Sequence, residues 1–258
     1  MTAAESPVGM PFIIWTLQRT GGTNFTRSLV RRSNYEKSED EPFNKPRQFG
    51  SITKGWLSGG DRIRMNESIS DILVRKICIK HCVEQVPLAI SEVLAECAVR
   101  ENYKHLFLYR KEPLGRLLSL EYAKRTGGWG VRRVQRIPDD SHAFREPLDV
   151  EESVRHEVEC VGRMQYIWGY LEELGGEKCA VAFEDIYGES DHRGEQVITG
   201  VLEFLGLAKG ARSNQKFVNL VRGVGDQRTR AKYRRFRGVN ELERALESVP
   251  VFDTNQNL

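Results

Sequence analysis

The chain has 258 residues, 40% of them hydrophobic and 29% charged, with a formal net charge of +3. That length suits one sizeable α/β domain, and that composition excludes a disordered chain. The mild charge excludes a bulk nucleic-acid binder, leaving only local basic clusters to consider.

Residues 1–10 read as a loose leader. Phe12 to Leu17 is a short apolar run of β formers, which predicts a buried strand. It is too short for a signal-peptide core or a membrane span, so a cytoplasmic protein is expected. Gln18 to Gly22 breaks the run, and a helix is expected from Thr23 or Asn24 to about Arg32, with one of those two as its N-cap. Residues 34–60 are polar and rich in Gly and Pro, which predicts a long functional loop. Ile77–Ile79, His105–Tyr109 and Cys179–Phe183 are further strand candidates. Helices are predicted over Val86–Val99, from Pro113 to about Arg125, over Val150–Leu174 and over Gln196–Leu205. Residues 128–148 are irregular. From Ser213 the helical pattern is broken and rich in arginine, and 247–258 reads as a loose tail. Strands alternating with helices imply one domain built on a mainly parallel sheet covered on both faces.

Five cysteines, Cys78, Cys82, Cys97, Cys160 and Cys179, form no Cys-x-x-Cys pair. They read as free thiols of a reducing compartment, and no metal-ligand spacing stands out.

Two segments carry the chemistry. The first is the turn Gln18-Arg19-Thr20-Gly21-Gly22-Thr23-Asn24 after the first strand. Its glycines let backbone approach an anion, the next helix aims its N-terminus there, and Arg19 adds a fixed planar cation. The lysine of a Walker loop is missing, because Thr23 and Asn24 follow Gly22. The second segment follows the third strand: Arg110-Lys111-Glu112-Pro113, then Ser119. Lys111 and Ser119 stand eight apart, close to one helical face, and suit a second anionic group.

The first turn resembles the 5′-phosphosulfate-binding loop of the sulfotransferase superfamily, and the second resembles its 3′-phosphate-binding segment. The Thr126-Gly127-Gly128-Trp129 stretch is similar to an ending found in bacterial members, and Phe183-Glu184-Asp185-Ile186 resembles a strand ending of the family. The likeness runs from about Pro11 to near residue 246. It implies a P-loop-NTPase-like three-layer α/β fold with a central, mainly parallel sheet flanked by helices. It also implies 3′-phosphoadenosine-5′-phosphosulfate as cosubstrate, without metal, and an acceptor hydroxyl on a carbohydrate or other small molecule. By resemblance, Arg19 contacts the phosphosulfate near the scissile bond, and Thr20, Gly21, Gly22, Thr23 and Asn24 surround the 5′-phosphate. Arg110 or Lys111, with Ser119, holds the 3′-phosphate. Arg222, in Arg222-Gly223-Val224-Gly225, stands where the family has a late glycine-rich segment, though the spacing departs from it.

The acceptor hydroxyl needs a general base. Glu41, in Asp40-Glu41-Pro42-Phe43-Asn44, resembles the glutamate of bacterial and carbohydrate members. His81, after Ile77-Cys78-Ile79-Lys80, resembles the histidine of aryl and steroid members, one residue out of step. Two readings from other classes stay open: a nucleotide-dependent kinase of related fold, and a non-catalytic nucleotide- or nucleic-acid-binding module.

Overall fold

A computed structural model describes residues 9–33, 35, 37–129, 142–188, 191–224 and 233–255. Five strands form one sheet in the order β2-β3-β1-β4-β5: β1 Phe12–Thr16, β2 Ser38–Asp40, β3 Cys78–Cys82, β4 Lys104–Tyr109 and β5 Lys178–Ala182. Every pairing is parallel, with Ile13 lying between Ile79 on β3 and His105 on β4. A parallel sheet must be covered on both faces, which explains the unbroken burial of β1 and β3.

The period of two along each strand divides the core. Ile13, Trp15, Ile79 and Phe107 face α3 (Arg62–Leu73), α4 (Leu88–Arg100) and α6 (Val150–Glu173). Phe12, Ile14, Cys78 and Leu106 face α1 (Gly22–Arg32), α8 (Asp191–Phe204) and α9 (Ala211–Val224). The expected three-layer α/β arrangement is therefore what the chain forms. A third cluster joins α5 (Leu114–Thr126), a short 3₁₀ turn at His142–Phe144, and α10 (Val239–Leu246), with Tyr122, Tyr233 and Phe236 at its centre. The remaining helices are α2 (Gly50–Gly59) and α7 (Phe183–Tyr187). No helix among the described residues is long and apolar enough to cross a membrane.

Three expectations are corrected. The first helix starts at Gly22, and its N-cap is Gly21 in the left-handed region, not Thr23 or Asn24. The loop expected over 34–60 holds strand β2 and helix α2, and α3 follows it; their four glycines mask a helix whose Thr53 is buried and bonded to the Phe43 carbonyl at 2.5 Å. The tail expected to be loose is packed as far as Phe252. That ring stacks on Phe107 at 5.6 Å, while Gln165 and the Asp253 backbone exchange two hydrogen bonds. Residues 256–258, 1–8 and 130–141 lie outside the described residues.

Candidate functional site

Crossovers leave β1 toward the β2 edge and β4 toward the β5 edge, so a crevice opens between the carboxyl ends of β1 and β4. Open parallel sheets take ligands at such a reversal. Both sequence-predicted anion segments issue there: Gln18–Thr23 from β1, and Arg110–Pro113 from β4.

The first turn is shaped by close approach. Arg19 has φ 65° and Gly21 φ 89°. A Cβ on Gly21 would come within 2.7 Å of the Phe183 ring, and one on Gly22 within 3.0 Å of the Lys80 stem. Gly21 is thus fixed by packing as well as by its dihedral, and Gly22 by packing alone. Helix α1 has no side-chain cap and no acidic residue in its first turn, so its leading N–H groups and positive dipole end stay available to an anion. Thr23 and Asn24 occupy that first turn. Thr20 is buried, and its hydroxyl meets no partner among the described residues. A buried hydroxyl beside an uncapped helix end suits an anionic oxygen.

The structure brings the two segments together. Arg19 Nε donates to Ser119 Oγ at 2.8 Å, and Ser119 Oγ donates to the Tyr233 hydroxyl at 3.4 Å. Arg110 and Lys111 part company. The Arg110 guanidinium lies 3.4 Å from the centroid of the Phe183 ring, the same ring that backs Gly21. Lys111 turns outward, with Nζ 2.8 Å from both carboxylate oxygens of Asp185 and its backbone N–H on Glu184 at 3.0 Å. Of the two cations, Arg110 is the one held against the cradle.

Glu41 is joined to the cradle by a residue that motif reading missed. Lys80 on β3 is 5% exposed, and its Nζ lies 2.6 Å from Glu41 Oε1, 2.7 Å from Asp40 Oδ1 and 3.1 Å from Thr23 Oγ1. Burial works against its charge, but the facing Cys82, Asp40 and Glu41 groups outweigh it and hold the ammonium above the ordinary lysine value. Glu41 has φ 56°, donates its N–H to the Lys80 carbonyl at 2.8 Å, and accepts from Asn44 Nδ2 at 3.1 Å. A non-glycine residue in that region costs about 1–3 kcal/mol and persists only where its surroundings fix it. The signal for Lys80 was its setting: a lysine inside an apolar strand run needs a buried partner.

His81 points the other way. It is 1% exposed, bonded to Ser91 Oγ at 2.9 Å, with its ring edge-on to Trp15 and Phe43 on the α4 face. Burial, and then the Lys80 charge, push it down to about 3, so it is neutral and packed in the core. The structure does not bring His81 to Arg19 or Glu41, because adjacent strand residues face opposite sides.

Arg222 stands apart from both segments. It donates to the Gly188 carbonyl at 2.9 Å and borders a cavity of about 400 Å³ with Tyr187, Glu195 and Asn219. Tyr187, which lines it, packs 4.5 Å from Phe183, the ring that backs Gly21. Arg228 and Arg230, in the arginine-rich stretch, lie outside the described residues. Comparison with protein-family models, with curated proteins and with solved structures returns no match to this chain.

Proposed function

We propose that this chain is a sulfotransferase that moves a sulfuryl group from 3′-phosphoadenosine-5′-phosphosulfate to a hydroxyl of a carbohydrate or other small molecule, on a P-loop-like fold. The observation that carries this reading is the 2.8 Å contact between Arg19 and Ser119, which joins the glycine turn after β1 to helix α5, the two segments read as anion sites. A nucleotide bearing phosphates at both its 5′ and 3′ ends has use for two such places; a simple nucleoside triphosphate does not. The strand order β2-β3-β1-β4-β5, with a glycine turn after the central strand, supports the fold assignment. Free cysteines at all five positions support a cytoplasmic setting.

The cosubstrate supplies a sulfur–oxygen bond that breaks with its electron pair passing to the 5′-phosphate oxygen. Arg19 and Lys80, with the α1 N-terminus, stabilise charge growing on that oxygen. Glu41 accepts the proton released by the acceptor hydroxyl as its oxygen bonds to sulfur. Thr20 and Thr23 orient the anion with their hydroxyls. Ser119 and Arg110 hold the 3′ end.

A second reading has one observation in its favour. Lys80 brings to the cradle, from a different strand, the ammonium that the turn itself lacks, so a nucleotide-dependent kinase gains some ground. Calorimetric titration separates the two. The sulfotransferase reading expects adenosine 3′,5′-bisphosphate to bind far more tightly than 5′-AMP or ATP. Equal or tighter ATP binding favours the kinase, and binding of RNA or DNA that the bisphosphate does not displace favours a nucleic-acid module. With an acceptor in hand, Arg19→Ala is expected to lower turnover about 10²–10³-fold with the melting temperature retained. Glu41→Gln is expected to lower it about 10²–10⁴-fold. Turnover near that of the wild type in either variant removes that residue from its role.

A further inference from the structure

Beneath the Arg19 turn lies a group of buried ionisable side chains that the proposed reaction does not use. Arg116, from the first turn of α5, is fully buried and pairs with Glu157 of α6, itself 3% exposed. Arg116 Nη1 also donates to the Gln18 carbonyl at 3.4 Å. From the turn after β3, Glu84 Oε1 accepts the Gln18 N–H at 2.5 Å. That turn is itself pinned: Arg163 of α6 donates to the carbonyls of Val83 and Val86 at 3.4 Å and 3.0 Å. Gln18 is therefore gripped at its N–H and its C=O by side chains from two other parts of the fold, and a third stands behind them. The next residue is Arg19, at φ 65°.

A buried ion pair is a poor stabiliser compared with apolar residues of the same volume, whereas hydrogen bonds from ionised groups are short and directional. Arg116 Nη1 and Glu84 Oε1 each meet a backbone group of Gln18, a directional contact that apolar filling cannot replace. Burial pushes the Glu84 carboxyl up, against the Gln18 amide and the Arg116 charge; in either protonation state an oxygen remains to accept the amide.

We propose that Glu84 and the Arg116–Glu157 pair are positioning residues that fix both peptide groups of Gln18, hold Arg19 in its left-handed conformation and aim its guanidinium at Ser119. The proposal rests on the reading of Arg19 as the cation of the cradle only for its consequence in ligand binding, not for its geometry.

Two readouts test it. One is the ¹⁵N–¹H signal of Arg19 Nε and its exchange with water, assigned by its loss in Arg19→Lys. The other is the dissociation constant for adenosine 3′,5′-bisphosphate. Glu84→Gln keeps an acceptor oxygen and is expected to leave both readouts as in the wild type. Glu84→Leu removes it, and Arg116→Met combined with Glu157→Leu removes the carbonyl contact without stranding a charge. Each of these, still melting cooperatively, is expected to lose the protected Nε–H signal and to bind the bisphosphate at least tenfold more weakly. A folded Glu84→Leu variant, or a folded double variant, with full Nε–H protection overturns the proposal. In the wild type itself the Gln18 amide is expected to exchange far more slowly than the amide of Thr23, and rapid exchange there overturns the proposal even if neither variant folds. If the wild type shows the protected signal yet ignores the bisphosphate, the sulfotransferase reading falls and the positioning role stands.

Discussion

Gly21 combines two demands that few side chains meet. Its φ of 89° disfavours any L-residue, and Phe183 occupies the space a Cβ would need. Gly21→Ala is expected to cost about 1–3 kcal/mol and to push Phe183 away, loosening Arg110 with it. Denaturant unfolding together with bisphosphate titration checks this, and an unchanged midpoint with unchanged affinity contradicts it. The turn after β1 was legible in the sequence from its short-range order of strand, glycines and helix, and Ser119 from its helical spacing to Lys111, but its contact with Arg19 was not. Lys80 was not, because its role depends on β2 lying beside β3, which places Asp40 opposite it. The choice between Arg110 and Lys111 was likewise hidden. It is decided by Phe183 and Asp185, more than seventy residues further on.

Among the elements, the four apolar strands were legible, while polar β2 and the strands' surroundings were not. An apolar run with β-branched residues announces a buried parallel strand whatever packs on it. Helix α2 was lost behind Gly50, Gly55, Gly59 and Gly60, which imitate loop composition, although Asp61 then caps α3 through the Arg64 N–H at 3.0 Å. The alternation along Lys80, His81 and Cys82 does separate Lys80 from His81, but a period of two does not say which face meets the crevice. The C-terminal strap lacked any periodic signal, since single aromatic anchors have none. Phe252 lies against Phe107, Tyr109 and Trp168 at 5.6, 5.1 and 5.6 Å. Phe252→Ala is expected to destabilise the protein by about 3–5 kcal/mol through the cavity it leaves. A fall below about 1 kcal/mol in urea unfolding would show that the strap only rests on the core.

Across the whole molecule, two fully packed faces leave little water around the sheet, and two histidines are caught inside it. His81 and His105 are each pushed down to about 3, by burial before any other cause, from an ordinary value of 6.5. The folded state resists their protonation while the unfolded chain accepts it. Stability is therefore present in full above pH 6.5 and is lost as the pH falls from 6.5 toward 3. By pH 5 each histidine accounts for a loss of about 2 kcal/mol. Unfolding at pH 7 and pH 5 should show this loss, and His105→Gln, which keeps an acceptor for the Trp15 N–H, should shrink it by about that amount. An equal loss in the variant contradicts the assignment.

The central position of β1 has a consequence during synthesis. Ile13 finds its neighbours only at Ile79 and His105, so β1 has no strand partner until β3 has emerged and is flanked on both sides only once β4 has followed. At a translation rate of about 5–20 residues per second that interval lasts several seconds. Throughout it, Phe12-Ile13-Ile14-Trp15 is a bare adhesive segment. Overexpression that crowds nascent chains is therefore expected to favour aggregation through β1, seen as a larger share of insoluble protein.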